Sequence, residues 1–396
     1  MERTQLVSLV NATGVAEWHG GGAFLRDPHW TPAQRVGFER LVATPAVVAP
    51  PADGLGWLGI ATGGSSGGLT FARHDELTLG AAARGFAGHF AMPVINAVDV
   101  LPPWHVSGLM ARVRCAVTGG RHLPWAWKEL EVGNFPALGR SDAWVLSLVP
   151  TQLQRLLPSS SAVGWLRAFR VILIGGGPVW PALADAAVAA QLPVALSYGL
   201  TETAAMVTAQ LPAEASRGDR SSGRALPHAR IEICDVTTGA LLPAGATGLV
   251  RITGESVMRG YYPARAADRA FVTADLGWLE ADGRVSLAGR RDDVIITGGV
   301  KVNPREVEAV LQAAGGLVEV AVIGVPHPEW GEEVVACYVG AMELAPDSPA
   351  TGQLPRAQRP KRYVRFAAAD WPRNAQGKVN RAVLRTAASA GVDPGR

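Results

Sequence analysis

An α/β fold is predicted by three features of the sequence: short apolar runs alternating with stretches of helical spacing, Gly/Ser-rich loops following several of those runs, and a β-rich texture from about Arg224. Strands that alternate with helices imply a largely parallel sheet covered on both faces. Residues 1–56 are rich in Pro, Gly and Trp with weak periodicity, and yield only a helix over Pro32–Val42. Gly56–Ala61 then reads as a strand ending in a Gly/Ser loop, and Asp75–Phe90 as an Ala-rich helix. The alternation continues with a strand at Val94–Val100 and a helix from about Gly108. It recurs at Ala143–Leu148 with Thr151–Leu157, and at Val171–Ile174 with Pro181–Ala190, before a strand at Pro193–Ser197 and a loop. Short strands such as Arg230–Val236 and Gly248–Thr253 follow, separated by Gly/Pro turns. The last unit carries a helix at Pro304–Ala313, a strand near Val318–Gly324 and a helix at Arg381–Ala388.

At 396 residues the chain exceeds one ordinary core. We place a large N-terminal domain at 1–291, with its β-rich part at about 224–291, and a small α+β domain at 292–396. Hydrophobic residues make up 48% and charged residues 18%, but Gly, Pro or Arg breaks every apolar run before the roughly 20 residues that span a bilayer. No transmembrane segment is expected. The first residues carry Glu2 and Glu17 and lack an apolar core with a cleavage site, so a cytoplasmic location is expected. A net charge of +3 with scattered basic residues excludes nucleic acid as an expected partner. Cys115, Cys234 and Cys337 lie far apart, with no metal spacing or disulfide pattern, and read as buried or free thiols.

Four strings carry chemistry. Thr62, Gly63, Gly64, Ser65, Ser66 and Gly67 lie just after a strand; such glycines let backbone N–H groups converge on phosphate, and the hydroxyls add donors. No Lys-Ser/Thr pair follows, so an ordinary P-loop is disfavoured. Ser197-Tyr-Gly-Leu-Thr-Glu-Thr203 offers an aromatic face for a purine, hydroxyls for phosphate and a carboxylate for Mg²⁺. Thr273-Ala-Asp-Leu-Gly-Trp278, followed by Gly289-Arg-Arg-Asp-Asp293, supplies an Asp able to accept from both ribose hydroxyls and an Arg with a planar fork of donors. Last, Asn374-Ala-Gln-Gly-Lys-Val-Asn-Arg381 puts Lys378 on a polar loop. Taken singly, these strings also fit a plain turn, a hairpin and a surface Lys.

Together and in this order, the strings resemble the adenylate-forming superfamily of acyl-CoA synthetases, luciferases and peptide-synthetase adenylation domains, from about Leu58 to Val383. The resemblance implies activation of a carboxylic acid with ATP and Mg²⁺, then transfer of the acyl group to CoA. It implies that Gly175, Gly176, Gly177 and Pro178, with Ser197, Tyr198 and Gly199, border the adenine; that Thr201 meets phosphate and Glu202 the metal; and that Asp275 and Arg290 hold the ribose. Lys378 would neutralise charge as pyrophosphate leaves. The small domain would be mobile, turning about a hinge at Asp292, and Gly298 and Gly299 would line the thiol tunnel in a second pose. The family's phosphate loop commonly carries a Lys where this chain has Thr70, so Arg73 or His74 is expected to supply the charge. Part of the usual N-terminal subdomain is expected to be missing or reduced.

Leu101-Pro-Pro-Trp-His105-Val-Ser107-Gly-Leu109 follows a strand, where Ser107 could also simply cap a helix. With Gly-Gly-Gly-Pro, Ser-Tyr-Gly-Leu-Thr-Glu-Thr and the loop ending Phe71-Ala-Arg-His74, it is similar to the 2-succinylbenzoate–CoA ligases of menaquinone and phylloquinone synthesis, in their shortened cyanobacterial form. That resemblance puts Gly199 and Leu200 against the substrate ring, and His105, Ser107 or a nearby Arg on its second carboxylate. A general aryl- or fatty-acyl-CoA ligase, a carrier-loading adenylation enzyme and a non-catalytic nucleotide-binding regulator remain as alternatives.

Overall fold

Four sheets organise the chain in the computed structural model, which describes residues 1–43, 54–62, 69–139, 143–263, 270–346, 348–373 and 379–389. The largest has seven strands, in the order Arg224–Ala225, Ala205–Ala209, Val194–Leu200, Val171–Ile174, Trp144–Leu148, Asn96–Asp99, His122–Pro124. The last five of these run parallel, as the strand–helix alternation predicts, and the first two antiparallel. Continuous apolar runs such as Val-Ile-Leu-Ile at 171–174 form central strands because both sheet faces are covered, and all four of those residues are buried. One face packs on the helices Pro150–Leu156, Ser160–Leu166 and Pro181–Ala189 through Leu146, Leu153, Leu166, Ile172, Leu183 and Leu196.

A five-stranded mixed sheet joins the first part of the chain, in the order Ala16–His19, Gly22–Leu25, Leu58–Ala61, Phe71–His74, Tyr261–Tyr262. The predicted helix Pro32–Val42 forms, with Thr31 and Gln34 in a reciprocal capping box. Its Phe38 packs with Phe24, Trp30, Phe71 and Tyr262 in an aromatic cluster against this sheet. The helix Glu76–His89 is capped by Asp75, whose Oδ1 accepts from the amides of Leu77 and Thr78 at 3.0 Å each. Such a cap contributes about 1 kcal/mol.

The strands Ala229–Cys234, Gly248–Gly254, Ala270–Leu279 and Val285–Arg290 form a four-stranded antiparallel sheet, and strands between Ile295 and Arg365 form a five-stranded sheet covered by the helices Pro304–Ala313 and Arg381–Ser389. The 3₁₀ turn Arg291–Asp293 lies between these last two sheets. Apolar cores drawn only from residues 295–388 fill the final unit. Arg381, at the start of its helix, donates to Val322 O and Glu308 Oε1 at 2.6 Å each, and its Nε lies 3.7 Å from Asp293 Oδ2. All three cysteines are free and buried.

The structure departs from the sequence reading at three places near the loops of interest. After the Gly/Ser loop the chain does not pass directly into a helix; it first forms the strand Phe71–His74, antiparallel to Leu58–Ala61. Tyr198–Leu200, read as a loop, continue the strand from Val194, because Ala205–Ala209 folds back beside it with a bulge near Val207. Gly199 permits that approach, since a Cβ there would lie 1.9 Å from Ala205 O. Ser107 is not a cap: the helix starts at Val106, and His105 holds the cap position.

Candidate active site

Parallel strands deliver their C-terminal ends to one edge of the sheet, and most of the singled-out residues sit there. Asn96–Asp99 leads into His105 and Ser107, Val171–Ile174 into Gly175, Gly176, Gly177 and Pro178, and Val194–Leu200 into Thr201 and Glu202. Ser197 Oγ donates to Ile174 O at 3.3 Å, and a Cβ on Gly175 would meet that hydroxyl at 2.7 Å, so the glycine loop begins directly beside the neighbouring strand.

Tyr198 ties this edge to the antiparallel sheet. Its hydroxyl donates to Asp275 Oδ2 at 2.7 Å, and Asp275 stands opposite Arg290 in the strand pair, with Arg290 Nη1 3.5 Å from Asp275 Oδ1. Burial, then the Asp275 charge, raises the Tyr198 hydroxyl well above its ordinary range, so it remains a proton donor. Tyr198, Asp275 and Arg290 thus form one connected group of aromatic face, carboxylate and guanidinium.

Thr201–Thr203 form a tight 3₁₀ turn, and the two residues that follow take positive φ, 54° at Ala204 and 74° at Ala205. Left-handed backbone at two consecutive non-Gly residues persists only where surrounding bonds fix it. Thr203 Oγ1 lies 2.8 Å from Ala205 O and accepts from the Leu200 amide at 3.1 Å, while Met258 N donates to Glu202 O at 2.8 Å. Glu202 Oε1 accepts from the Tyr261 hydroxyl at 2.8 Å. Burial and that carboxylate raise the phenol, which stays protonated. Glu202 therefore presents a carboxylate with one oxygen anchored. No group of three or more candidate ligands occurs among the described residues. A lone carboxylate suits Mg²⁺ carried chiefly by substrate phosphates.

His74 does not supply the cation expected in place of the loop Lys. His74 is fully buried, and burial lowers its pKa to about 4, leaving the ring neutral. Its Nε2 donates to Thr201 O at 2.8 Å, and Nδ1 lies 3.1 Å from the Thr78 hydroxyl. Arg73 is buried, with Nε donating to Gly56 O at 3.0 Å and Nη2 to Leu55 O at 3.2 Å. Arg259 is likewise engaged, its Nε 2.8 Å from the fully buried Asp75. Burial pushes the Asp75 carboxyl up, but the Arg259 hydrogen bond and the Thr78 and Gly56 amides outweigh it and hold the group below its ordinary range.

Thr62 closes the Gly/Ser loop, its amide donating to Thr70 O at 2.8 Å. Gly63, Gly64, Ser65, Ser66, Gly67 and Lys378 lie outside the described residues. His105 packs with its ring 6.0 Å from Trp104, and Leu200 and Ser107 are half-buried near the same sheet edge. Gly298 and Gly299 turn an exposed hairpin at φ 55° and 78°, with Gly298 N donating to Trp330 O at 2.9 Å. Asp292 is exposed, 3.5 Å from Arg290 Nη2. His74 and Tyr261 were not singled out as partners of the Thr201–Glu202 turn; no local pattern marks them, since they reach it from 127 and 59 residues away.

The sequence profile of the AMP-binding enzymes matches residues 77–262, and that of the AMP-binding enzyme C-terminal domain matches 306–378. The chain belongs to the AMP-binding enzyme family. This AMP-binding enzyme is 33% identical over 288 residues to the 2-succinylbenzoate–CoA ligase of Enterococcus faecalis, which covers 70% of this chain and 58% of the relative. It is 29% identical over 323 residues to the indoleacetate–CoA ligase of Aromatoleum aromaticum, covering 75% and 62%. The chain thus spans about three fifths of the length of these relatives. Among solved structures, the o-succinylbenzoate CoA synthetase of Bacillus subtilis in complex with its acyl-adenylate intermediate aligns at TM-score 0.71 and 25% identity, covering 83% of this chain and 69% of that one. The two-part α/β architecture is that of the adenylate-forming enzymes.

Proposed function

We propose that this AMP-binding enzyme activates a carboxylic acid with ATP and transfers the acyl group to CoA, with 2-succinylbenzoate or a close aryl dicarboxylate as the acid. The observation that carries the reading is the Tyr198–Asp275–Arg290 group beside Glu202, in a fold shared with a solved acyl-adenylate complex. In the first step an acid oxygen bonds to the α-phosphorus of ATP and the bond to the β-phosphate breaks, releasing pyrophosphate. In the second, the CoA sulfur bonds to the acyl carbon, the carbonyl–phosphate bond breaks, AMP leaves and the thiol proton is released.

Tyr198 walls the adenine with Ser197, Gly199 and the loop Gly175, Gly176, Gly177 and Pro178, while Asp275 accepts from the ribose hydroxyls and Arg290 donates beside it. Thr201 meets phosphate with Thr62 and the loop Gly63, Gly64, Ser65, Ser66 and Gly67, and Glu202 holds Mg²⁺, which offsets phosphate charge. Lys378 neutralises the charge that develops as pyrophosphate leaves. His105, Ser107, Gly199 and Leu200 form the acid pocket. The chain divides into units at 1–291 and 292–396 that rotate about Asp292, bringing Gly298 and Gly299 to the CoA channel. No helix among the described residues is long and apolar enough to cross a membrane, and ATP and CoA as co-substrates fit a cytoplasmic site of action.

A second reading, a ligase for other aryl acids, is favoured by the similarity to an indoleacetate–CoA ligase. Thioester formation with ATP, Mg²⁺ and CoA, offering 2-succinylbenzoate, indoleacetate, benzoate and a medium-chain fatty acid, separates the two. Preference for 2-succinylbenzoate, lost in Lys378→Ala, is expected; turnover of the other acids alone would overturn the substrate and keep the chemistry.

A further inference from the structure

A buried histidine joins two elements that the proposed reaction needs in register. His74 ends the strand Phe71–His74, which pairs with the strand entering the Gly/Ser loop, and it reaches across to the backbone of Thr201. The acceptor is a carbonyl, so Nε2 must carry the proton; in the neutral ring Nδ1 is then an acceptor facing the Thr78 hydroxyl, 3.1 Å away. Thr78 also accepts from the Asp75 amide at 3.0 Å, and its one hydroxyl proton has two acceptors in reach, His74 Nδ1 and Asp75 O, at 3.1 Å each. The Thr201 carbonyl fixes the tautomer, with no exposure of the ring to water.

The acceptor is the residue that opens the strained turn. The peptide oxygen of Thr201 is held by His74, that of Glu202 by Met258, and the Glu202 side chain by Tyr261. Between them these bonds set the direction of the Thr201 hydroxyl and the Glu202 carboxylate while Ala204 and Ala205 hold positive φ. Without the His74 donor the Thr201 carbonyl would keep only the Ala204 amide, 3.2 Å away within the turn itself, and the turn would lose its tie to the Phe71–His74 strand and gain a way to relax.

We infer that His74 is a positioning residue for the adenylation step: its Nε2–H fixes the Thr201–Glu202 turn against the Phe71–His74 strand, so that hydroxyl and carboxylate meet the same nucleotide. The role rests on the proposed function. It is served by a neutral donor, and a cation in place of the loop Lys is no part of it.

The test compares His74→Phe, which keeps a ring and removes the donor, with His74→Gln, whose amide can donate from near the Nε2 position. The two half-reactions are read separately. ATP–pyrophosphate exchange in His74→Phe is expected to fall by about 100-fold in kcat, the scale of a small misplacement of reacting groups. KM for the acid should hold, and transfer to CoA from supplied acyl-adenylate should persist. His74→Gln should recover most of the exchange. Unchanged exchange in His74→Phe, or parallel loss of both half-reactions without rescue by glutamine, would overturn the inference. If the phenylalanine variant fails to fold, Thr78→Val, which removes the hydroxyl facing Nδ1, must show the same selective loss of exchange. Should the wild-type protein give no exchange with any acid, the proposed function falls. The positioning role is then read from Mg·ATP affinity by calorimetry, which His74→Phe must weaken and His74→Gln restore.

Discussion

Tyr198 and Asp275 lie 77 residues apart in sequence and meet in a 2.7 Å hydrogen bond, which joins the parallel sheet to the antiparallel one. Both residues are more than nine-tenths buried, so the bond also satisfies one oxygen of a desolvated carboxylate whose other oxygen faces Arg290.

Tyr198→Phe keeps the aromatic face and removes the donor. A hydrogen bond to a charged acceptor contributes about 1.5–3 kcal/mol, so the variant should lose about that much unfolding free energy, read as a lower urea midpoint. The affinity for ATP should fall in the same variant because Asp275 is no longer held; calorimetric titration checks this.

Glu202→Gln removes the charge that would face the metal while leaving an oxygen for Tyr261. Exchange activity should drop by about 10- to 100-fold, and the Mg²⁺ concentration needed for half-maximal rate should rise. Tyr261→Phe should show a smaller loss with the same rise in Mg²⁺ demand, measured by titrating Mg²⁺ at fixed ATP.

Stability should fall with acid in a defined window. Burial holds His74 and His228 at pKa values of about 4, against 6.5 for the free side chain. Between those values the unfolded chain binds protons on both residues and the folded chain does not, so stability is full above about pH 6.5 and declines toward pH 4. Two such groups give a slope of about 2.7 kcal/mol per pH unit in mid-window. Urea midpoints from pH 7 to 4.5 measure it, and His74→Gln should remove about half of the slope.

Arg381→Ala should destabilise the unit from 295 to 389 by about 3 kcal/mol, because Glu308 would keep its bond to Val322 N but lose its counter-charge. Hydrogen exchange should report the loss in the strands Leu317–His327 and Gly331–Gly340, and Glu308→Gln added to Arg381→Ala should return part of it.

Legibility in the sequence followed how local each determinant is. Val171–Ile174 and Pro304–Ala313 were read to the residue, because an unbroken apolar run and a Pro-led amphipathic stretch carry their own signal. Phe71–His74 was missed: its four residues are all buried, and Arg73 and His74 look polar in sequence, while their partners Gly56 and Thr201 lie elsewhere in the chain. The hairpin Ala16–His19 with Gly22–Leu25 is equally short, and its register depends on Leu58–Ala61. The Ser197–Thr203 string was placed after a strand, but Tyr198–Leu200 extend that strand beside a bulged partner that no periodicity reveals. Asp275 and Arg290 were found as separate motifs; their pairing across a hairpin, and the Tyr198 hydroxyl between the two sheets, are tertiary facts.

The three buried cysteines bear on side reactions. An acyl-adenylate is an electrophile that any nearby thiolate would open, and the proposed second substrate is itself a thiol. Burial pushes Cys115 and Cys337 up to about 12 and raises Cys234, so none offers an appreciable thiolate at neutral pH. None of these three thiols would therefore compete for the proposed intermediate with a thiol that arrives from solution.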